Sequence, residues 1–220
     1  EARQTGAIRA RLLAEIGKED MMTLLAGQPE TFVLQYPAEP LQLKAGIDGN
    51  LGRLQLTQLS LTLPSAFRAT ATGSIELPLD SLRRKGEMSL ALECGQLQFL
   101  QALTGGVLLP EGLALHGKAS IDGPQTQAHV QVMQAEQERM VLDAGYHLQR
   151  EAYRAELSVN GLDLHAFLPD DSLFAVHASL QAEGEGTDLF SPRTRTHVQG
   201  SLYHLQYGKR VFSGIGLNAD

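Results

Sequence analysis

A chain of 220 residues with a formal net charge of −7 has no surplus of cations to set against a phosphate backbone, which excludes nucleic acid as the expected partner. A single cysteine, Cys94, rules out an internal disulfide, and no run of about 18 apolar residues and no basic, apolar and small-residue leader block is present, so any anchor or targeting segment is expected outside this stretch. Apolar residues make up 43% of the chain, but with no Trp, 7 Phe and 5 Tyr the packing falls mainly to leucine and alanine.

The chain opens on Glu1 and still alternates from Ile215 to Asp220, which predicts a segment of a longer protein. Residues 1–30 read as the end of a preceding repeat, in which Gly17 leads into a helical turn from Lys18 to Leu25. A first β block spans 31–112. Leu41, Leu43, Ala45 and Ile47 recur at every second position, the period of a strand with one buried face, and Asp48-Gly49 reads as the following turn. Leu54 and Leu56 continue it, and the change of parity to Leu59, Leu61 and Leu63 predicts a bulge. Phe67, Ala69, Ala71, Gly73, Ile75 and Leu77 form the next alternating run, and Met88, Leu90 and Leu92 resume it beyond the polar turn at Arg83 to Gly86. Gly95 then leads into a short helical segment, Gln96 to Leu103.

A second β block, 113–172, repeats the scheme. Leu113, Leu115, Ala119 and Ile121 precede another Ile-Asp-Gly turn; Val130 and Val132, then Met140, Leu142, Ala144, Tyr146 and Leu148, then Tyr153, Ala155, Leu157 and Val159 follow. Gly161 leads into a second helical turn, Leu162 to Leu168. Residues 173–220 read as the start of a third block. The recurrence is uneven rather than of fixed period.

This pattern assigns the chain to the all-β class: an elongated, curled antiparallel or mixed sheet forming a groove, with short helical turns. About a dozen strands at about 4.8 Å spacing make a sheet close to 60 Å wide. Its apolar face must be curled over, covered by a second layer, or filled with something apolar. Parity places Leu43, Ile47, Leu61, Leu63, Phe67, Ile75, Leu77, Met88, Leu90, Leu92, Leu115, Ile121, Val130, Val132, Met140, Leu142, Tyr146, Leu157, Val159, Val176 and Leu180 on the candidate lining.

No constellation for catalysis or metal binding emerges, and neither an enzyme nor a cofactor is expected. The 7 histidines are scattered one per element without H-x-H or H-E-x-x-H spacing, whereas a zinc site needs about four converging ligands. His197 and His204 read as able to meet across a hairpin. Asp170 and Asp171 follow Pro169, where turn formation accounts for them. Gly105 and Gly106 follow a helical segment, the wrong order for an anion site. Cys94 keeps the register of Leu90 and Leu92 and reads as a small buried residue. The clusters Arg83, Arg84, Lys85 and Arg193, Arg195 read as solvated turns and edge protection.

The C-terminal third carries an apolar turn ending at Leu168-Pro169, a strand from Ala178 to Gly186, the stretch TDLFSPRTR, and G-x-L-x-x-L-x-Y-G (Gly200 to Gly208) closing into S-x-I-x-L. On these features about 60 residues resemble the middle segment of the TamB/AsmA-like family of translocation and assembly modules, in particular its Bacteroidota-type sequences. The resemblance implies a periplasmic β-taco in a protein anchored in the inner membrane by a segment outside this chain. It implies phospholipid or another acyl-chain ligand in the groove, and a role in lipid transport, outer-membrane protein assembly and secretion. The outer-membrane barrel partner of that family is met by a domain this chain does not contain. The alternative expectation is a closed extracellular β module, an adhesin or carbohydrate-binding unit, against which the scarcity of aromatics counts.

Overall fold

A computed structural model describes residues 6–186 and 194–220. The two-residue period organises the chain into one open antiparallel sheet of 13 strands, laid down in sequence order. They are β1 (Ile8–Ile16), β2 (Leu41–Asn50), β3 (Arg53–Leu63), β4 (Phe67–Glu76), β5 (Lys85–Cys94), β6 (Leu113–Asp122), β7 (Gln125–Gln134), β8 (Gln137–His147), β9 (Ala152–Asp163), β10 (Leu173–Glu185), β11 (Arg195–Tyr207), β12 (Arg210–Phe212) and β13 (Ile215–Ala219). The last two both pair with β11. The fold is therefore all-β and antiparallel throughout, and the sheet runs unbroken past residues 112 and 172, where β5 pairs with β6 and β9 with β10.

Because strands alternate in direction, their connections fall on two rims. One rim carries mostly short turns, at 51–52, 123–124 and 148–151, together with the longer turn 77–84. The other carries the long insertions: α1 (Lys18–Leu24) and α2 (Glu30–Gln35) between β1 and β2, and a 3-10 helix, Gln98–Ala102, between β5 and β6. The helical segment expected after Gly95 is present here, and α1 lies where Gly17 leads into Lys18.

Several local features differ from expectation. The turn placed at Asp48-Gly49 lies inside β2. The hairpin falls at Leu51-Gly52 instead, because the Asn50 side-chain Oδ1 accepts from the Gly52 and Arg53 amides at 2.7 and 3.0 Å and fixes the reversal there. Residues 162–168 form no helix: Leu162 and Asp163 end β9, and only a turn follows, closed by Phe167 and Leu168 amides donating to the Leu164 carbonyl. The strand expected from Ala178 to Gly186 is longer at its start, running from Leu173 to Glu185. Leu77 sits past the end of β4 at φ 48°. The bulge inferred from Leu56 to Leu59 is present: Leu56 faces Gly73 and Leu59 faces Ala71, so one extra residue of β3 is accommodated and both leucines stay on the same side.

The buried core is small and sits at the insertion rim. Phe32 of α2 and Tyr36, which caps it, meet Phe99 of the 3-10 helix, with ring centroids 5.3 to 5.8 Å apart. Leu63, Ala66 and Leu97 complete the cluster, and Met21, Met22, Leu41, Phe67 and Cys94 pack around it. Further along the same rim the Leu108 amide donates to the Phe167 carbonyl. The Gln134 carboxamide bridges β7 to β9, donating to the Asp163 carbonyl and accepting from its amide.

Candidate functional site: an uncovered apolar face

Residues opposite one another in an antiparallel ladder project to the same side, so the register fixes the composition of each face. Starting from Ile8, Ala10, Leu12, Ala14 and Ile16 of β1, the ladder passes to Leu41, Leu43, Ala45 and Ile47, then to Leu54, Leu56, Leu59, Leu61 and Leu63. It continues through Phe67, Ala69, Ala71 and Ile75 to Met88, Leu90, Leu92 and Cys94, then to Leu115, Ala119 and Ile121. Val130 and Val132 lead to Met140, Leu142, Ala144 and Tyr146, and these to Tyr153, Ala155, Leu157 and Val159. Ala178, Leu180 and Ala182 carry the face on to Val198 and Leu202, and to Ile215 and Leu217 of β13. One apolar surface thus crosses the whole sheet. The opposite face is polar, for example Gln42 with Thr62, Ser89 with Lys118, and Asp143 with Glu156.

The residues expected on the lining accordingly share one side of the sheet, with one exception. Leu77 has left the strand. Val176 lies beyond a register shift, opposite Leu162 and Leu205, and keeps the side of Ala178. The alternating runs already held alanines and Gly73 between the leucines, but the reading missed β1, which supplies the first strip of the face. Tyr153, read in the alternating run of β9, lies across Gly184 of β10 to hydrogen-bond Thr196 of β11 at 2.6 Å, a contact the period does not announce.

Most of this surface is half-buried between neighbouring strands, and parts of it are exposed. Ile47 is 40% exposed, Met88 46%, Leu90 38% and Leu180 38%, whereas Leu63, beneath the helical insertions, is fully buried. The face is hollowed between β2 and β7, where a cavity of about 340 Å³ is lined by side chains that include Ile47, Leu54, Ile75, Met88, Ala119 and Ile121. Gly73 and Gly86 form its floor. A Cβ at Gly73 would come within 2.6 Å of the Glu87 carbonyl, and one at Gly86 within 2.8 Å of the Ser74 carbonyl, so side chains there are incompatible with this close strand approach. A second apolar hollow of about 240 Å³ lies between β9 and β13, over Leu157, Val159, Leu180, Leu202 and Leu217.

Polar groups do not converge on either hollow. No three of His, Cys, Asp and Glu among the described residues are placed to hold a metal ion. His197 and His204 lie on the same strand and cannot face each other across a hairpin. His204 instead meets His177 of β10, ring centroids 5.6 Å apart, and His197 contacts Asp220. On the polar face His129 pairs with Asp143 at 2.7 Å. Asp171 uses its carbonyl to bond the His165 ring, consistent with a structural turn. Burial pushes the Cys94 thiol above its ordinary pKa, the reverse of what a nucleophile needs. In the 77–84 turn, Arg83 and the Leu82 and Arg83 amides bond the Asp80 carboxylate and hold its pKa below the ordinary value. Arg193, of the second cationic cluster, and most of the TDLFSPRTR stretch lie outside the described residues.

No helix among the described residues is long and apolar enough to cross a membrane. No protein-family model, no curated protein and no solved structure matches the chain.

Proposed function

We propose that this chain is a non-catalytic carrier segment whose uncovered leucine and alanine face holds the acyl chains of phospholipid or a similar amphiphile. The observation that carries the reading is the continuity of that face from β1 to β13, with no second layer of strands over it among the described residues. Left in water, such a surface is far larger than the few hundred Å² that monomeric proteins expose, so it calls for an apolar occupant. Leucine, alanine and glycine present a smooth surface with few specific contacts, which suits chains that slide and vary in length better than a ligand of fixed shape. In keeping with the resemblance carried by the C-terminal third, the setting proposed is the periplasm, in an inner-membrane-anchored protein that moves lipid toward the outer membrane or supports assembly and secretion of its proteins. A closed adhesin or carbohydrate-binding module fits less well, since the face is open and offers few aromatic platforms.

The test is native mass spectrometry of the purified chain, followed by solvent extraction. Wild type should carry acyl lipid, and Met88→Arg, which puts a charge into the larger hollow, should lose most of it while keeping the β spectrum in circular dichroism. Lipid-free wild type, or equal loading of folded Met88→Arg, would overturn the carrier reading.

A further inference from the structure

Three irregularities line up across the sheet close to the insertion rim. β8 carries an extra residue at Arg139, since Met140 faces Val132 while Glu138 faces Met133. β9 carries one at Gly161, between Asn160 opposite His177 and Leu162 opposite Val176. β11 carries one at Tyr203, between Leu202 opposite Ala178 and His204 opposite His177. Bulges re-aim side chains and gather beside functional sites, and His177 of β10 has one on each side.

The side chains around these bulges converge. Gly161 stands at φ 66°, and a Cβ there would lie 3.0 Å from Arg139 Nη1 and 3.4 Å from His177 Nε2. The missing side chain therefore leaves a niche bordered by a guanidinium and an imidazole. The His204 ring stands edge-on to that of His177, with centroids 5.6 Å apart. Since the neighbouring Ala178–Val159 pair belongs to the apolar face, alternation puts His177 on the polar side of the sheet.

His129 and His197 each rest on an aspartate, but among the described residues no carboxylate pairs with Arg139, His177 or His204. Arg139 makes only a long bond, 3.4 Å from Nη1 to the Asn160 carbonyl, and its Nε is buried without a partner. A buried donor left unpaired is costly, and a guanidinium between imidazoles repels a metal ion while it favours an oxyanion.

We propose that Arg139, His177 and His204 bind a phosphoryl group in the niche over Gly161. The two nitrogens bordering it are about 6 Å apart or less, a span that two oxygens of one phosphate bridge through N–H···O bonds of about 2.8 Å. The niche lies on the side opposite the leucine face, so the inference holds whatever that face carries.

The experiment follows the histidine Cε1–H signals of the 220-residue chain by NMR at constant pH. Inorganic phosphate, or glycerol phosphate as a stand-in for a lipid headgroup, is added to about 20 mM at constant ionic strength. Signals of His177 and His204 should shift saturably, with Kd on the order of 1 mM, while His129, held by Asp143, stays still. Tighter binding of glycerol phosphate assigns the niche to phosphoryl headgroups, and equal or weaker binding assigns it to free phosphate. Arg139→Gln should weaken binding by about tenfold or more, and so should Gly161→Ala, whose methyl fills the niche. Circular dichroism checks the fold of each, and Arg139→Gln carries the test alone if Gly161→Ala, strained at this φ, does not fold. No saturable shift at His177 and His204, an equal shift at His129, or undiminished binding by folded Arg139→Gln would each overturn the proposal.

Discussion

The aromatic cluster under the helical insertions and the open face beside it are made from the same ladder of strands, yet they obey different rules. At the insertion rim, Phe32, Tyr36 and Phe99 interlock over Leu63 and exclude water, as in an ordinary protein interior. A few residues further along the same strands, Met88 and Leu90 lie on the same side of the sheet and are exposed. Apolar character alone therefore does not identify a core here. Coverage does, and coverage comes from insertions that the strand period does not specify.

Mutations should separate the two regions sharply. The largest effect is expected at the cluster: Phe99→Ala removes a ring that touches two others and should cost about 3–5 kcal/mol in urea denaturation. A loss under about 1 kcal/mol would mean that the cluster packs loosely and that the contrast with the face is false. On the face, Leu90→Arg should cost only on the order of 1 kcal/mol, because the new charge stays solvated. Unfolding of that variant would show that the face is covered in solution. Cys94 gives a kinetic reading of the same boundary. It abuts the cluster and its thiol is shifted toward the protonated form, so alkylation at pH 8 should run about tenfold or more slower than for a free cysteine, and Phe99→Ala should accelerate it. The smallest effect belongs to the 77–84 turn. Because the Asp80 pKa is depressed, its support for the turn is present above the usual carboxylate range and fades as pH falls through the lowered value. Hydrogen-exchange protection factors of the Leu82 and Arg83 amides, taken relative to the intrinsic rate at each pH, should fall in acid in wild type and lose that pH dependence in Asp80→Asn.

The face was legible in the sequence because its signal is local. Alternation among Leu41, Leu43 and Ile47, or Met140, Leu142 and Tyr146, needs only neighbouring residues, and the parity change at Leu56 and Leu59 announces its own bulge. The cluster was not legible, because Phe32 and Phe99 lie far apart in the chain, on short helical pieces with no period of their own, and meet only once β2 to β5 are in place. The first hairpin was misplaced for a simpler reason: Asp48-Gly49 has the composition of a turn, but the side-chain oxygen of Asn50 closes the turn one step later. His204 found His177 rather than His197 because strand order, not sequence spacing, decides which rings meet.

The single-file strand order has a consequence for how the molecule comes apart. In a layered domain each strand is held by partners above and below as well as beside it, so the whole structure melts together. Here β6 to β10 lean chiefly on the strand before and the strand after, which makes their stability close to a sum of nearest-neighbour couplings, as in a linear array. The ring cluster ties β2 through β5 into one cooperative block, while β6 to β10 are joined mainly by their ladders. Amide protection should therefore be highest around β3 and β4, beneath the cluster, and lower in β7 to β9, away from it.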